Sequence, residues 1–343
     1  MADSNRDDAF EEIVDTSRFR IVRELAHGGM GSVYEAVLCG PMSFNKTVAV
    51  KTILKRYSED EEFVQMFIGE ARLVADLVHP NICQVYQLGK VSNRYYIAME
   101  YIAGVSLQQF VDRHAELGRR MPVDIGTFII SRVCRGLEYA HAKRDRNGHL
   151  LGVVHRDVTP RNIMISTEGE VKLTDFGIAK AHTLMRDREG EVVMGQTPYL
   201  SPEQLRGLPT DARSDLFSLG VVMFELLTGQ SLFRGPSASA TIRNALDKEV
   251  PSMKDLNPEI TPRVEQIVRR AVERDPERRY QSGSEMGYDL EYAIYHEGYG
   301  PTIVTLEKYM RGIFPGLFHP SSEPSHPPAL CNPEGTTRSF PRN

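Results

Sequence analysis

The sequence predicts an α+β chain of two lobes, a small antiparallel sheet carrying one helix followed by a mainly α-helical lobe, on three observations. From Phe19 to about Tyr101, short apolar runs rich in Val and Tyr alternate with Gly-containing turns, the rhythm of strands, broken once by a helix-like stretch from Glu59 to Leu77. After Gly104 the apolar spacing becomes that of helices. The length of 343 residues also exceeds one core, since a single core stops growing near ~250–300 residues.

In chain order, residues 1–17 carry six acidic side chains and little that could be buried, so they are expected to form a mobile leader. Residues 18–103 make the first lobe. Within it, Ser58 followed by Glu61 reads as a capping box, and Glu59 to Glu62 would sit at the positive end of that helix's dipole. Residues 104–298 make the second lobe, with helices expected over Leu107–Leu117, Ile125–His141, Arg213–Thr228, Ile260–Arg274 and Ser284–Tyr295. A polar insert, Lys143 to Leu150, carries Asn147-Gly148, which suits a two-residue hairpin turn with positive φ. In residues 299–343 a last helix is expected over Thr305–Phe314. Beyond it, Pro315, Pro320, Pro324, Pro327, Pro328, Pro333 and Pro341 predict a disordered tail.

Composition narrows the function classes. With 41% hydrophobic and 25% charged residues the chain is neither fibrous nor wholly disordered. A net charge of −5 lacks the basic excess of a nucleic-acid-binding surface. Cys39, Cys83, Cys134 and Cys331 lack the short paired spacings of zinc sites or disulfide frameworks, which points to a reducing compartment. Met1 to Asp15 is acidic, unlike a signal peptide, and the longest apolar run, Leu216–Leu227, is too short for a bilayer and contains Glu225. A cytoplasmic protein without nucleic-acid or membrane partners is expected.

Three motifs carry chemistry. Leu25-Ala26-His27-Gly28-Gly29-Met30-Gly31-Ser32-Val33 lies between two strand-like runs rather than before a helix, which excludes a dinucleotide fold; its glycines would let a hairpin turn lie against phosphates. In Val48-Ala49-Val50-Lys51, strand alternation puts Ala49 and Lys51 on one face, small residue toward a flat base and ammonium toward phosphates, with Glu70 on the helix as the carboxylate that would fix Lys51. Finally, His155-Arg156-Asp157 precedes Asn162, and Asp175-Phe176-Gly177 follows the runs Ile163–Ser166 and Val171–Thr174. If those runs pair as a hairpin, Asn162 and Asp175 become neighbours, an amide oxygen and a carboxylate suited to magnesium, while Asp157 can take a proton from an incoming hydroxyl.

On these motifs the chain resembles the eukaryotic-like serine/threonine protein kinases over about residues 19–298, and within them the bacterial branch. The resemblance implies the bilobal protein kinase fold, with ATP and Mg2+ as cofactors and protein hydroxyls as substrates. It implies that Ala26, His27, Gly28, Gly29, Met30 and Gly31 cover the phosphates. Lys51, paired with Glu70, would hold the α/β-phosphates, and Met99, Glu100 and Ile102 would border the adenine. Val33 and Ala49 would roof the base, Met164 floor it, and Ser106 contact the ribose. Asp157 would be the catalytic base, Asn162 and Asp175 the magnesium ligands, and Ser201-Pro202-Glu203, Asp215 and Arg279 the structural anchors. The polar insert and the Val-Thr-Pro after Asp157 are similar to myxobacterial kinases.

The sequence departs from the family pattern in places. Ala26 replaces a glycine, and Gly195-Gln196-Thr197 replaces Gly-Thr-Pro. Thr159 stands where the family carries a lysine on the γ-phosphate; Arg161, an arginine position of tyrosine kinases, is the candidate replacement. Arg156 implies a cation waiting for an activation-loop phosphate, expected from autophosphorylation at Thr183 or Thr197. No sensor or anchor is expected after the kinase lobes, so input would come from an upstream kinase or partner. The rival readings are a pseudokinase scaffold and a small-molecule phosphotransferase, the latter disfavoured by Ser201-Pro202-Glu203 and Asp215.

Overall fold

Alternation of burial builds the first sheet. Val48 and Val50 are fully buried with Phe19, Ala36, Tyr96 and Ala98, and the Phe19 and Tyr96 rings meet edge-on at 5.7 Å. Burying each of the valines and the phenylalanine contributes about 1.5–3 kcal/mol. The strands are β1 (Phe19–Gly28), β2 (Gly31–Cys39), β3 (Asn45–Ile53), β4 (Val85–Val91) and β5 (Arg94–Glu100), all antiparallel in the order β1-β2-β3-β5-β4. This computed structural model describes residues 19–28, 31–40, 42, 44–91, 94–176 and 197–318. The acidic leader, the tail from residue 319, Gly29, Met30, Gly177, Thr183, Gly195, Gln196 and the side chain of Glu70 lie outside the described residues.

The chain divides into two compact units, residues 19–64 with 85–101, and residues 65–84 with 102–318. In the first, a short helix α1 (Lys55–Ser58) precedes α2 (Glu61–Ala75), whose residues beyond Val64 group with the second unit. The capping box expected at Ser58 does not form. Tyr57 and Ser58 already close a turn on the Leu54 carbonyl, so the chain is helical by then, and Asp60 Oδ1 instead takes the Phe63 N–H at 3.1 Å.

The second unit holds a small sheet of β6 (Gly104–Ser106), β7 (Ile163–Ser166) and β8 (Val171–Leu173), and the helices α3 (Leu107–Glu116), α4 (Val123–His141), α5 (Pro202–Leu205) and α6 (Ala212–Thr228). Helix α6 is buried from Ser214 to Leu227. The apolar run there is therefore a core helix, stopped by Gly229 at φ 69°. Then follow α7 (Ala238–Asp247), α8 (Met253–Leu256), α9 (Pro262–Ala271), α10 (Gly283–Tyr295) and α11 (Ile303–Ile313). Helix α7 escapes sequence periodicity because it buries only Thr241 and Ala245. Helix α9 starts at Pro262, capped by Thr261, rather than at Ile260.

The insert also differs from expectation. Arg144 and Leu150 form an antiparallel bridge, but only Gly148 has positive φ, 85°; Asp145 Oδ1 accepts the N–H groups of Asn147 and His149 at 2.8 and 2.9 Å and so closes a wider turn. Helix α11 lies against α3, burying Leu306, Met310 and Ile313. His114 on α3, 4% exposed, donates from Nδ1 to the Phe110 carbonyl (2.7 Å) and accepts at Nε2 from the Tyr309 hydroxyl (2.7 Å).

Candidate active site

Residues 151–159 have no regular structure, and one carboxylate shapes them. Asp215, fully buried on α6, accepts the His155 N–H (2.7 Å), the Arg156 N–H (2.7 Å) and His141 Nε2–H (2.8 Å). Burial works to raise its pKa, but the hydrogen bonds from His141 and from the His155 N–H hold the carboxyl below the usual carboxylate range. The grip lets Arg156 adopt φ 64°, a conformation costing a residue with a Cβ about 1–2 kcal/mol. His155 is wholly buried. Its Nδ1 accepts the Asp157 N–H (3.2 Å), its Nε2–H donates to the Thr174 carbonyl (2.9 Å), and its ring packs on Phe176 at 4.5 Å. Burial pushes its pKa down, in keeping with the neutral tautomer those partners require.

Asp157, 8% exposed, accepts Asn162 Nδ2–H at Oδ2 (2.8 Å) and at its carbonyl (2.9 Å). With its amide nitrogen on Asp157, Asn162 has Oδ1 for a cation. Ile163 pairs with Leu173, and the Thr174 N–H reaches the Asn162 carbonyl at 2.8 Å, so the expected hairpin forms and sets Asp175 one residue beyond the partner of Asn162. Asp175 also has positive φ, 60°. One amide oxygen and one carboxylate fit magnesium, which keeps waters and takes substrate phosphates for its other positions. Such a site needs no cluster of three His, Cys, Asp or Glu, and among the described residues there is none. Ser106 pairs with Met164 across β6 and β7, and its hydroxyl also caps α3 by accepting the Gln109 N–H at 3.2 Å. Thr159 is 4% exposed, whereas Arg161, in the turn Pro160–Asn162, is exposed.

Glu203 and Arg279, two of the expected anchors, form a bidentate pair at 2.7 and 2.8 Å, with the Ser214 hydroxyl on the same carboxylate at 2.6 Å. Burial raises the Glu203 pKa, but the hydrogen bonds from Arg279 and Ser214 bring it down to about 2.

In the first unit, Val33 pairs with Lys51 and Ala49 with Met99, so these four side chains share the sheet face opposite the Phe19–Val50 core. Glu100, at the end of β5, pairs with Val48. Gly28 pairs with Gly31 at the hairpin end, His27 Nδ1 meets the Ser32 hydroxyl at 2.8 Å, and Ala26 is exposed, leaving room for its methyl group. Gly31 has a reason beyond phosphate access: a Cβ there would stand 1.7 Å from the Thr52 carbonyl oxygen. Ile102, Ser106 and Met164 belong to the second unit. Sequence reasoning missed His141, Thr210 and Gln204, although Ser201 followed three residues later by Gln204 is a capping-box signature.

In the second unit an asparagine holds the Asp157 carboxylate and a hairpin brings Asp175 near that asparagine, while the first unit carries a strand lysine and a glycine hairpin. The chain belongs to the protein kinase family: residues 19–287 match its protein kinase domain. It is 35% identical over 294 residues to the tyrosine-protein kinase MasK of Myxococcus xanthus, covering 86% of this chain and 46% of that one. It is 37% identical over 279 residues to the serine/threonine-protein kinase PrkC of Bacillus subtilis, covering 81% and 41%. The chain thus spans less than half the length of these two relatives. The crystal structure of the Mycobacterium tuberculosis PknI kinase domain superposes with a TM-score of 0.61 at 26% identity, covering 80% of this chain and 95% of that one.

Proposed function

We propose that the protein transfers the γ-phosphoryl group of ATP to serine or threonine hydroxyls of proteins. The observation that carries this reading is the Asp157–Asn162 hydrogen bond within a loop pinned by Asp215. Asp157 Oδ1 or Oδ2 accepts the proton of the substrate hydroxyl as its oxygen attacks the γ-phosphorus, the bond to the β–γ bridging oxygen breaks, and ADP leaves. Lys51 would hold the α/β-phosphates, with Glu70 as the carboxylate expected to fix it; Asn162 and Asp175 would hold Mg2+, which supplies charge neutralisation between the phosphates. Arg161, exposed and immediately before Asn162, would supply the cation missing at Thr159. By the family resemblance, Ala26 to Gly31 would cover the phosphates, Val33, Ala49, Met99, Glu100, Ile102 and Met164 would border the adenine, and Ser106 would meet the ribose.

Autophosphorylation would fall on Thr183 or Thr197; Thr197 is 2% exposed, and Thr183 lies outside the described residues. Location in the cytoplasm, and input from an upstream kinase or scaffold partner without nucleic acid, complete the reading. Among the described residues no helix is long and apolar enough to cross a membrane.

The test is transfer from labelled ATP with magnesium, to the protein itself and to a basic protein, comparing wild type with Asp157→Asn. Label on serine or threonine that the variant abolishes supports the reading. Label confined to tyrosine would assign tyrosine specificity, the activity in the name of the Myxococcus relative, and would favour the role given to Arg161. ATP binding without label in either protein would make the chain a pseudokinase scaffold.

A further inference from the structure

We propose that Gln204 is a positioning residue for catalysis, because it holds the peptide plane that carries Asp157. The carbonyl of Arg156 and the N–H of Asp157 belong to one rigid peptide unit. The N–H end is held by His155 Nδ1 at 3.2 Å, and the carbonyl end accepts Gln204 Nε2–H at 2.9 Å. The unit before it is held in turn, since the Arg156 N–H donates to Asp215 at 2.7 Å. Between the two units lies Arg156 at φ 64°, a conformation its backbone abandons unless its neighbours oppose relaxation. The Arg156 side chain is tied as well, Nε–H donating to the Thr210 hydroxyl at 3.1 Å.

Gln204 lies 48 residues away on α5, immediately after Glu203. Its amide divides its two ends between two jobs. Oε1 accepts the Ser201 N–H (3.0 Å) and hydroxyl (3.1 Å), completing the capping box that starts α5, while Nε2 reaches across to the catalytic loop. The segment anchored by Glu203 and Arg279 is thereby joined directly to the peptide unit beside the base. If this bond is lost, the plane can rotate about φ of Asp157 and ψ of Arg156, which turns the carboxylate away from the incoming hydroxyl. Misplaced catalytic groups lower kcat more than substrate affinity.

The two jobs can be separated chemically. Gln204→Glu keeps an acceptor for the Ser201 cap, since glutamate serves that position as well as glutamine, but has no N–H for the Arg156 carbonyl. The proposal rests on Asp157 being the base, so wild type is measured in the same assay. A wild type without transfer would refute that reading and leave no kcat for Gln204 to alter, which overturns this one too. With active wild type, Gln204→Glu is expected to lower kcat about three- to tenfold, the worth of one hydrogen bond, with KM for ATP and the melting temperature unchanged. Gln204→Met, which loses both ends, should lower kcat as much and the melting temperature as well. Wild-type kcat in Gln204→Glu, or a fall in kcat only where the melting temperature falls, overturns the proposal.

Discussion

Removing one partner of the Glu203–Arg279 pair leaves the other charged, buried and unmatched. Arg279 is 1% exposed and, besides Glu203, donates to the carbonyls of Glu273 (2.6 Å) and Arg274 (3.0 Å), so it cannot swing to water without breaking those bonds. The fall of the Glu203 pKa from 4.5 to about 2, converted at about 1.4 kcal/mol per tenfold change in proton affinity, is roughly 3 kcal/mol in favour of the ionised, paired form. That agrees with the about 3–5 kcal/mol lost when a buried ion pair is broken from one side. Glu203→Gln and Arg279→Met should each destabilise the protein by about that amount at neutral pH, read from urea unfolding, whereas the double variant should lose much less than the sum. Because the folded pKa is depressed, this stabilisation is complete above pH 4.5 and is lost as pH falls toward about 2. Single variants within about 0.5 kcal/mol of wild type, or an additive double variant, would refute the reasoning.

Three further outcomes follow from the structure. Tyr309→Phe removes the hydroxyl that donates to the buried His114 Nε2 and should cost about 1–3 kcal/mol in thermal unfolding, with an unchanged melting temperature counting against the docking of α11 on α3. Gly31→Ala puts a methyl 1.7 Å from the Thr52 oxygen, so β2 and β3 must separate at the hairpin end; raised KM for ATP is expected, and wild-type nucleotide affinity would show that the strands yield without cost. Burial lowers the pKa of His155 and of His114, so both stay neutral when folded and take up protons on unfolding. Stability should therefore be full above the ordinary histidine pKa of about 6.5 and fall below it, by up to about 1.4 kcal/mol per pH unit for each histidine. A melting temperature flat between about pH 7 and pH 5 would contradict this.

The candidate site was legible because its residues sit in short motifs whose spacing is itself geometric. Alternation in Val48-Ala49-Val50-Lys51 places Ala49 and Lys51 on one face whatever lies around the strand, and the hairpin between Asn162 and Asp175 needs only two four-residue apolar runs and a Gly-containing turn. The helix expected over Arg213–Thr228 likewise forms, as Ala212–Thr228. Other features are settled by packing between distant segments. Asp215 meets His141, His155 and Arg156 across 59 to 74 residues of chain, and no local pattern states which carboxylate will be carried under which loop. The same holds for Gln204 beneath Arg156, for Gly31 against Thr52, and for α11 on α3, while the shift of the cap from Ser58 to Asp60 turned on the chain closing a helical turn earlier than its polar pattern indicated. Sequence alone determined which side chains are candidates for the site, since residue type and short spacing suffice to single them out. Only the tertiary structure decided what holds them, because hydrogen-bond partners of a buried group are selected by the packing of helices that the chain brings together from far apart.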